Sequence, residues 1–288
     1  MQTEYTITTP TITLWGIIHR FKRKISLTLL LVVAESLLDL LFPLFIGYSI
    51  NGLLNQSYAG IAALGGLGVL TLLVGSGRRF YDTRAYAGMY TSLSTEMVSR
   101  EQEKKNSISM ISARASLLTE FVEFLENSMP SIITSVIGLV GILVILFTLN
   151  LYVFWASVAL FALMAVVYLL SGRWNFSYNK SYNDELENQV NALSTHDMGV
   201  IGRHFKTVMH WNIKLSDLET INYALIWLGI IGLLVYAPIA VIGNGVTDYG
   251  LVFSVLMYVF QYVESVVSLP FFIQQVIRLQ EISGRLGE

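Results

Sequence analysis

Three stretches of this chain contain no lysine or arginine: Ile25 to Gly77, Ala115 to Gly172 and Leu215 to Ile277, each over fifty residues long. Water-facing chain of that length normally carries both signs of charge. A bilayer-spanning helix needs about 20 apolar residues, so each gap has room for two spans and the turn between them. The composition agrees. Apolar residues are 54% of the 288 and charged residues only 13%, and the mean hydropathy is +0.59. A soluble domain has about 25% charged residues. The pattern predicts an all-α polytopic membrane protein with six transmembrane helices, near 25–54, 59–90, 129–149, 151–171, 221–242 and 250–272.

Charge also orients the spans. The expected hairpin tips, Asn55–Tyr58, Leu149–Leu151 and Gly243–Asp248, hold no Lys or Arg. All eighteen positive residues fall on the opposite side, in the N-terminal tail, two long connections and the C-terminal tail. The positive-inside rule then makes both termini cytoplasmic. The opening MQTEYTITTPTITLWG lacks the basic start, apolar core and cleavage site of a secretory signal. The basic cluster His19–Lys24 comes later, directly before the first apolar run.

The connections Arg78–Asn127 and Gly172–Thr220 are polar, poor in Pro and Gly, and rich in helix formers. They read as cytoplasmic extensions of the membrane helices, each pair closed by a turn. Pro130 suits the first turn of a span opening near 129. Pro43 and Pro270 lie within spans and are expected to kink them. Gly65, Gly66, Gly68, Gly75 and Gly77 form a small-residue face suited to close helix packing. A net charge of −2 gives no nucleic-acid signature. With no cysteine there is no disulfide, thiolate metal site or Cys nucleophile.

Several motifs carry a family resemblance. Glu35, Asp39-Leu40, Pro43, Gly47-Tyr48 and Ile50-Asn51 resemble the first-helix pattern of ABC exporter transmembrane domains. Trp15 to Lys24 resembles the amphipathic elbow before that helix. Ser112-Ala113-Arg114 with Glu120 and Glu123 is similar to the approach to the third helix, and Arg278 to Leu286 to the end of the sixth. The second connection, with His204-Phe205, Trp211 and Leu215-Ser216-Asp217-Leu218-Glu219, resembles a small family of stand-alone ABC transmembrane domains without a nucleotide-binding domain. This resemblance implies a tail and elbow at 1–24, a six-helix domain at 25–277 and a cytoplasmic stub at 278–288. It also implies a homodimer in a bacterial cytoplasmic membrane. There is no Gly-Lys dipeptide, hence no Walker A loop. Catalysis and bound cofactors are therefore not expected in this chain, and ATP enters only through a separate ATPase. The first connection has Asn106 to Ile111 in place of the aromatic-then-Gly approach common in exporters, a departure at the ATPase-docking region.

The expected function is a transport subunit for a small cationic or amphipathic solute, with its ATPase supplied in trans. Two alternatives stand beside it: an ATP-independent, proton-coupled transporter or channel on the same scaffold, and a non-transporting membrane or immunity partner. Glu35 and Asp39 share one helical face with no Lys or Arg in their run, and each charged acid at mid-bilayer costs about 2.5–3.5 kcal/mol on insertion scales. They read either as a solute or proton path or as inherited helix-to-helix hydrogen bonding. Met257, Gln261, Glu264 and Ser268 mark a semi-polar stripe on the sixth span, and Glu264 either lines the path or pairs with a neighbouring hydroxyl. Arg78, Arg79 and Asp82, with Arg84, are either an interfacial charge cluster or an inner gate that pairs with acids. Lys104, Lys105, His196, Arg203 and His204 sit at the loop turns where an ATPase would dock. The His spacing, with no Cys, argues against a metal site.

Overall fold

A computed structural model describes residues 14–243 and 248–287. The tail ahead of residue 14, the side chain of Trp15 and most of the tip at Gly243–Asp248 therefore lie outside the described residues. The described residues are helical and contain no strand: α1 (Leu14–Arg20), α2 (Lys22–Leu54), α3 (Ala59–Glu103), α4 (Ile108–Glu123), a π-helical turn (Phe124–Ser128), α5 (Met129–Leu149), α6 (Leu151–Glu187), α7 (Gln189–Ser194), α8 (Met198–Ile242) and α9 (Tyr249–Gly287). Six helical stretches among them are long and apolar enough to cross a membrane: Lys22–Leu54, Ala59–Glu103, Ile108–Leu149, Leu151–Ser194, Met198–Ile242 and Tyr249–Ile277. Leu72, Leu169 and Leu228 are each about two-thirds or more exposed. That many bare apolar side chains suit a hydrocarbon solvent, not water. The protein is an all-α, multi-pass membrane protein.

The expected extensions are helical throughout. At 1.5 Å per residue, the 45 residues of α3 reach about 68 Å, roughly twice the hydrocarbon core. Left-handed residues end the helices at three of the described turns. Gln56, Lys105 and His196 have φ of 60°, 57° and 54°, a conformation that non-glycine residues adopt mainly to stop a helix. Side-chain caps then start the next helix. Ser107 Oγ accepts from Met110 N, Asn150 Oδ1 from Tyr152 N and Val153 N, and Asp197 Oδ1 from Gly199 N.

The chain forms two compact units: Met1–Ile145 with Asp248–Glu288, and Leu146–Thr247. In the first unit α1 breaks from α2 at Phe21, whose ring lies under Arg20 and Lys24 at 5.4 and 5.8 Å. Ile17 and Ile25 then join Tyr86, Met89, Leu118 and Phe121 in a buried cluster at the cation-rich end. Towards the Asn55–Tyr58 tip, α2 and α3 come into backbone contact; a Cβ at Gly60 would lie 2.6 Å from Ser49 Cα. The second unit is the α6–α8 hairpin. Asn222 Nδ2 donates to Ser171 Oγ at 3.0 Å, and Gly229 leaves room for Leu160 and Leu163.

Pro130 stands in the first turn of α5, as expected, but that turn is not a free helix start: α4, the π turn and α5 run on as one helical stretch from Ile108 to Leu149. Proline has no N–H to give the carbonyl four residues back, and the wider π turn just before it absorbs that defect. Of the five glycines expected to form the small-residue face of α3, only Gly75 packs closely; a Cβ at Gly65, Gly66, Gly68 or Gly77 would meet nothing within 4 Å. Within this chain the small-residue face is largely open. Pro43 and Pro270 do lie inside helices, as does Pro238.

Candidate functional site

Near the middle of α2 the first unit has a half-open cavity of about 320 Å³ between α2, α5 and α9, with Asp39 and Glu264 both exposed at it. Asp39, with Ser36 and Leu40, comes from α2. Gln261, Glu264, Ser265 and Ser268 come from α9 at helical spacing, so one stripe of that helix supplies an amide, a carboxylate and two hydroxyls. Thr134, Ser135, Gly138 and Ile142 complete the wall from α5. No Lys, Arg or His lines it. Of the expected α9 stripe, Met257 is absent from the wall and Ser265 is added.

Glu35 has a different environment. Its carboxylate accepts from Arg78 Nε, and Arg78 Nη1 reaches Asp82 Oδ2 at 3.0 Å. Thr28 Oγ1 donates to the other Asp82 oxygen at 2.7 Å. The side chains of Glu35 and Arg78 are each 17% exposed and that of Asp82 is 6% exposed, so the pairing is largely out of solvent. Gly75 makes the arrangement possible, since a Cβ there would stand 2.7 Å from Glu35 Oε1. Two carboxylates share one guanidinium, whose planar fork suits two partners. Arg79, the next residue, faces outward and is exposed.

Towards the Asn55–Tyr58 tip, α2 and α9 are fastened together. A Cβ at Gly250 would lie 2.1 Å from Gly47 O, so the helix backbones meet directly there. Asn51 Nδ2 donates to Asp248 Oδ1 at 2.6 Å, and Asn51 Oδ1 accepts from Gly250 N at 2.9 Å. Below this contact Ser254 Oγ donates to Pro43 O and Tyr258 OH to Leu40 O, at 2.7 and 2.5 Å.

The turn residues fall into two groups. In the first unit Glu101 is buried and holds the turn together, accepting from Asn106 Nδ2 at 2.6 Å and Arg114 Nη1 at 2.7 Å. Lys104 lies 3.5 Å from it but stays largely exposed, and Lys105 is exposed. In the second unit His196 and Arg203 are exposed. His204 is turned inward, its Nδ1 2.7 Å from Glu185 Oε1. Among the described residues no three His, Asp or Glu side chains gather as a metal site.

The sequence reading missed the wall from α5 and the cation for Glu35. The hydroxyls of Thr134 and Ser135, in a span that also carries Ser131 and Thr148, were the signal for α5. Arg78 lies forty-three positions from Glu35, and no local pattern joins them.

Six helices long and apolar enough to cross a membrane, three of them lining an acid-bearing cavity within the first unit, define a polytopic membrane domain with a polar site. The family match makes that specific. The chain belongs to the ABC transporter transmembrane region family, whose model matches residues 14–248, from α1 through α8. The α9 residues that line the cavity lie beyond the matched segment. No curated protein matches the chain.

Proposed function

We propose that this protein is an exporter-type transport subunit that moves a small solute through the α2–α5–α9 cavity, powered by an ATPase in trans. The carrying observation is the cavity itself. Asp39 and Glu264 both line it, and no Lys, Arg or His is among its lining residues, in a chain from an ABC transporter family. An ionised acid facing lipid is costly, whereas one facing a water-filled path is not. Two copies related by twofold symmetry would enclose that path, and twofold dimers are the commonest closed assembly. The lysine- and arginine-bearing turns at Lys104–Asn106 and His196–Arg203 would face the cytoplasm of a bacterial cell, with both termini, and would receive the ATPase. Lys104, Lys105, His196 and Arg203 are exposed enough for that contact; His204 would shape the surface from beneath.

The test is reconstitution. The purified protein in liposomes, with a free-standing ABC ATPase from the same cell, should show ATP-dependent solute flux and stimulated ATP hydrolysis. Failure of any such ATPase to bind or to drive flux would sink this reading. A second reading, proton-coupled movement without an ATPase, draws on the same two cavity acids. It expects flux driven by a pH gradient alone and lost in Asp39→Asn and Glu264→Gln.

A further inference from the structure

The hydroxyls around the cavity are not equivalent to free alcohols. Ser265 Oγ donates to Gln261 O at 3.0 Å and Ser268 Oγ to Glu264 O at 2.9 Å, each to the carbonyl one turn back. Ser36 Oγ lies 2.8 Å from Val32 O and 3.0 Å from Thr134 Oγ1, and it donates to one or the other. Three hydroxyl protons, on Ser36, Ser265 and Ser268, are thus engaged within the protein, and those oxygens offer the cavity lone pairs. Gln261, Ser135 and Thr134 are the lining groups with protons to give. Against them stand two carboxylates and no cation.

A wall that accepts far more hydrogen bonds than it donates selects a ligand rich in N–H groups. Anions are repelled. A neutral polyol gains little, because most of its acceptors would face oxygen. The volume, about 320 Å³, is roughly ten times the share of one water molecule, about 30 Å³, and so suits a solute of several heavy atoms over a bare ion. Leu40 and Ile142 give an apolar stretch of wall for methylene groups, while no aromatic ring lines the cavity to hold a flat or strongly amphipathic molecule.

We infer that the α2–α5–α9 cavity binds a small hydrophilic organic dication, an aliphatic diamine or short oligoamine, with ammonium groups on Asp39 and Glu264 and its methylenes against Leu40 and Ile142. This narrows the solute class and rests on reading the cavity as the solute path. It is testable by binding alone, without ATPase or nucleotide.

The experiment is calorimetric titration of the full chain in lipid nanodiscs with putrescine, butylamine, butanediol and magnesium ion. Putrescine should bind saturably and butylamine about tenfold more weakly or worse, as expected for loss of one charge-assisted contact. Butanediol should not bind, and magnesium should not displace putrescine at comparable concentration. This series needs no variant. Asp39→Asn and Glu264→Gln should each weaken putrescine about ten- to a hundredfold, Asp39→Glu should restore part of the affinity, and Asp217→Asn, outside the cavity, should leave it unchanged. Binding of butanediol as tight as putrescine, tighter binding of magnesium, no saturable putrescine binding by folded wild type, or full affinity in both acid variants would each overturn the inference. Saturable binding without ATP-driven flux would instead leave the site standing and remove the transport reading.

Discussion

At Gly75 a missing side chain decides what Glu35 does. Its carboxylate fills the space a Cβ would take and so meets Arg78, while Asp39, one turn along α2, lines the cavity. Two acids that look alike in sequence are thereby separated in role. Removing one member of a buried ion pair leaves an uncompensated charge and costs on the order of 3 kcal/mol. Arg78→Ala strands two carboxylates and should lower thermal stability in detergent by about that much. Glu35→Gln still leaves an Arg78–Asp82 pair and should be clearly milder. Equal losses in the two variants would contradict the shared guanidinium. Gly75→Ala should resemble Glu35→Gln, whereas Gly65→Ala, with open space around it, should be neutral or gain up to about 1 kcal/mol from helix propensity.

Among the elements, the turn after α3 depends on one buried carboxylate. Glu101, before the Lys105 reversal, binds Asn106 and Arg114, both beyond it, and so ties the two sides of the turn together. Glu101→Ala would leave Arg114 without its acceptor and free the turn. Limited proteolysis after Lys104 and Lys105 should then speed up, with the membrane spans unaffected. The α2–α9 contact is tighter still. Gly250→Ala forces a methyl into the Gly47 carbonyl and, as an overpacked contact, should cost about 1–3 kcal/mol. The spans themselves are legible in the sequence because lipid imposes a length and a composition that residues report locally. The polar wall on α5 is not. A Ser or Thr in a membrane helix satisfies itself on its own backbone, as Ser131 does on Asn127 O, so its presence does not say which side it faces.

For the whole molecule, a solute path between α2 and α9 needs those helices to part somewhere. The Asn51–Asp248 contact is where they are held at the cation-poor end. The chain has no cysteine, so Asn51→Cys with Asp248→Cys gives an unambiguous thiol pair. Bridging it with a short bifunctional reagent should reduce reconstituted flux to background, and cleaving the bridge should restore it. Undiminished flux through the bridged protein would show that this contact need not open. In the same background, Ser57→Cys should react with a membrane-impermeant maleimide on intact cells, and Lys105→Cys only after permeabilisation. Hydropathy and the grouping of eighteen cations were enough to predict how often the chain crosses the bilayer, because hydrocarbon penalises every charge it meets, whatever the fold. Which acid has a cation and which faces open space was decided only when α2, α3, α5 and α9 packed. Ion pairing depends on distances of a few ångströms between residues far apart in the chain, and chain order does not encode those distances.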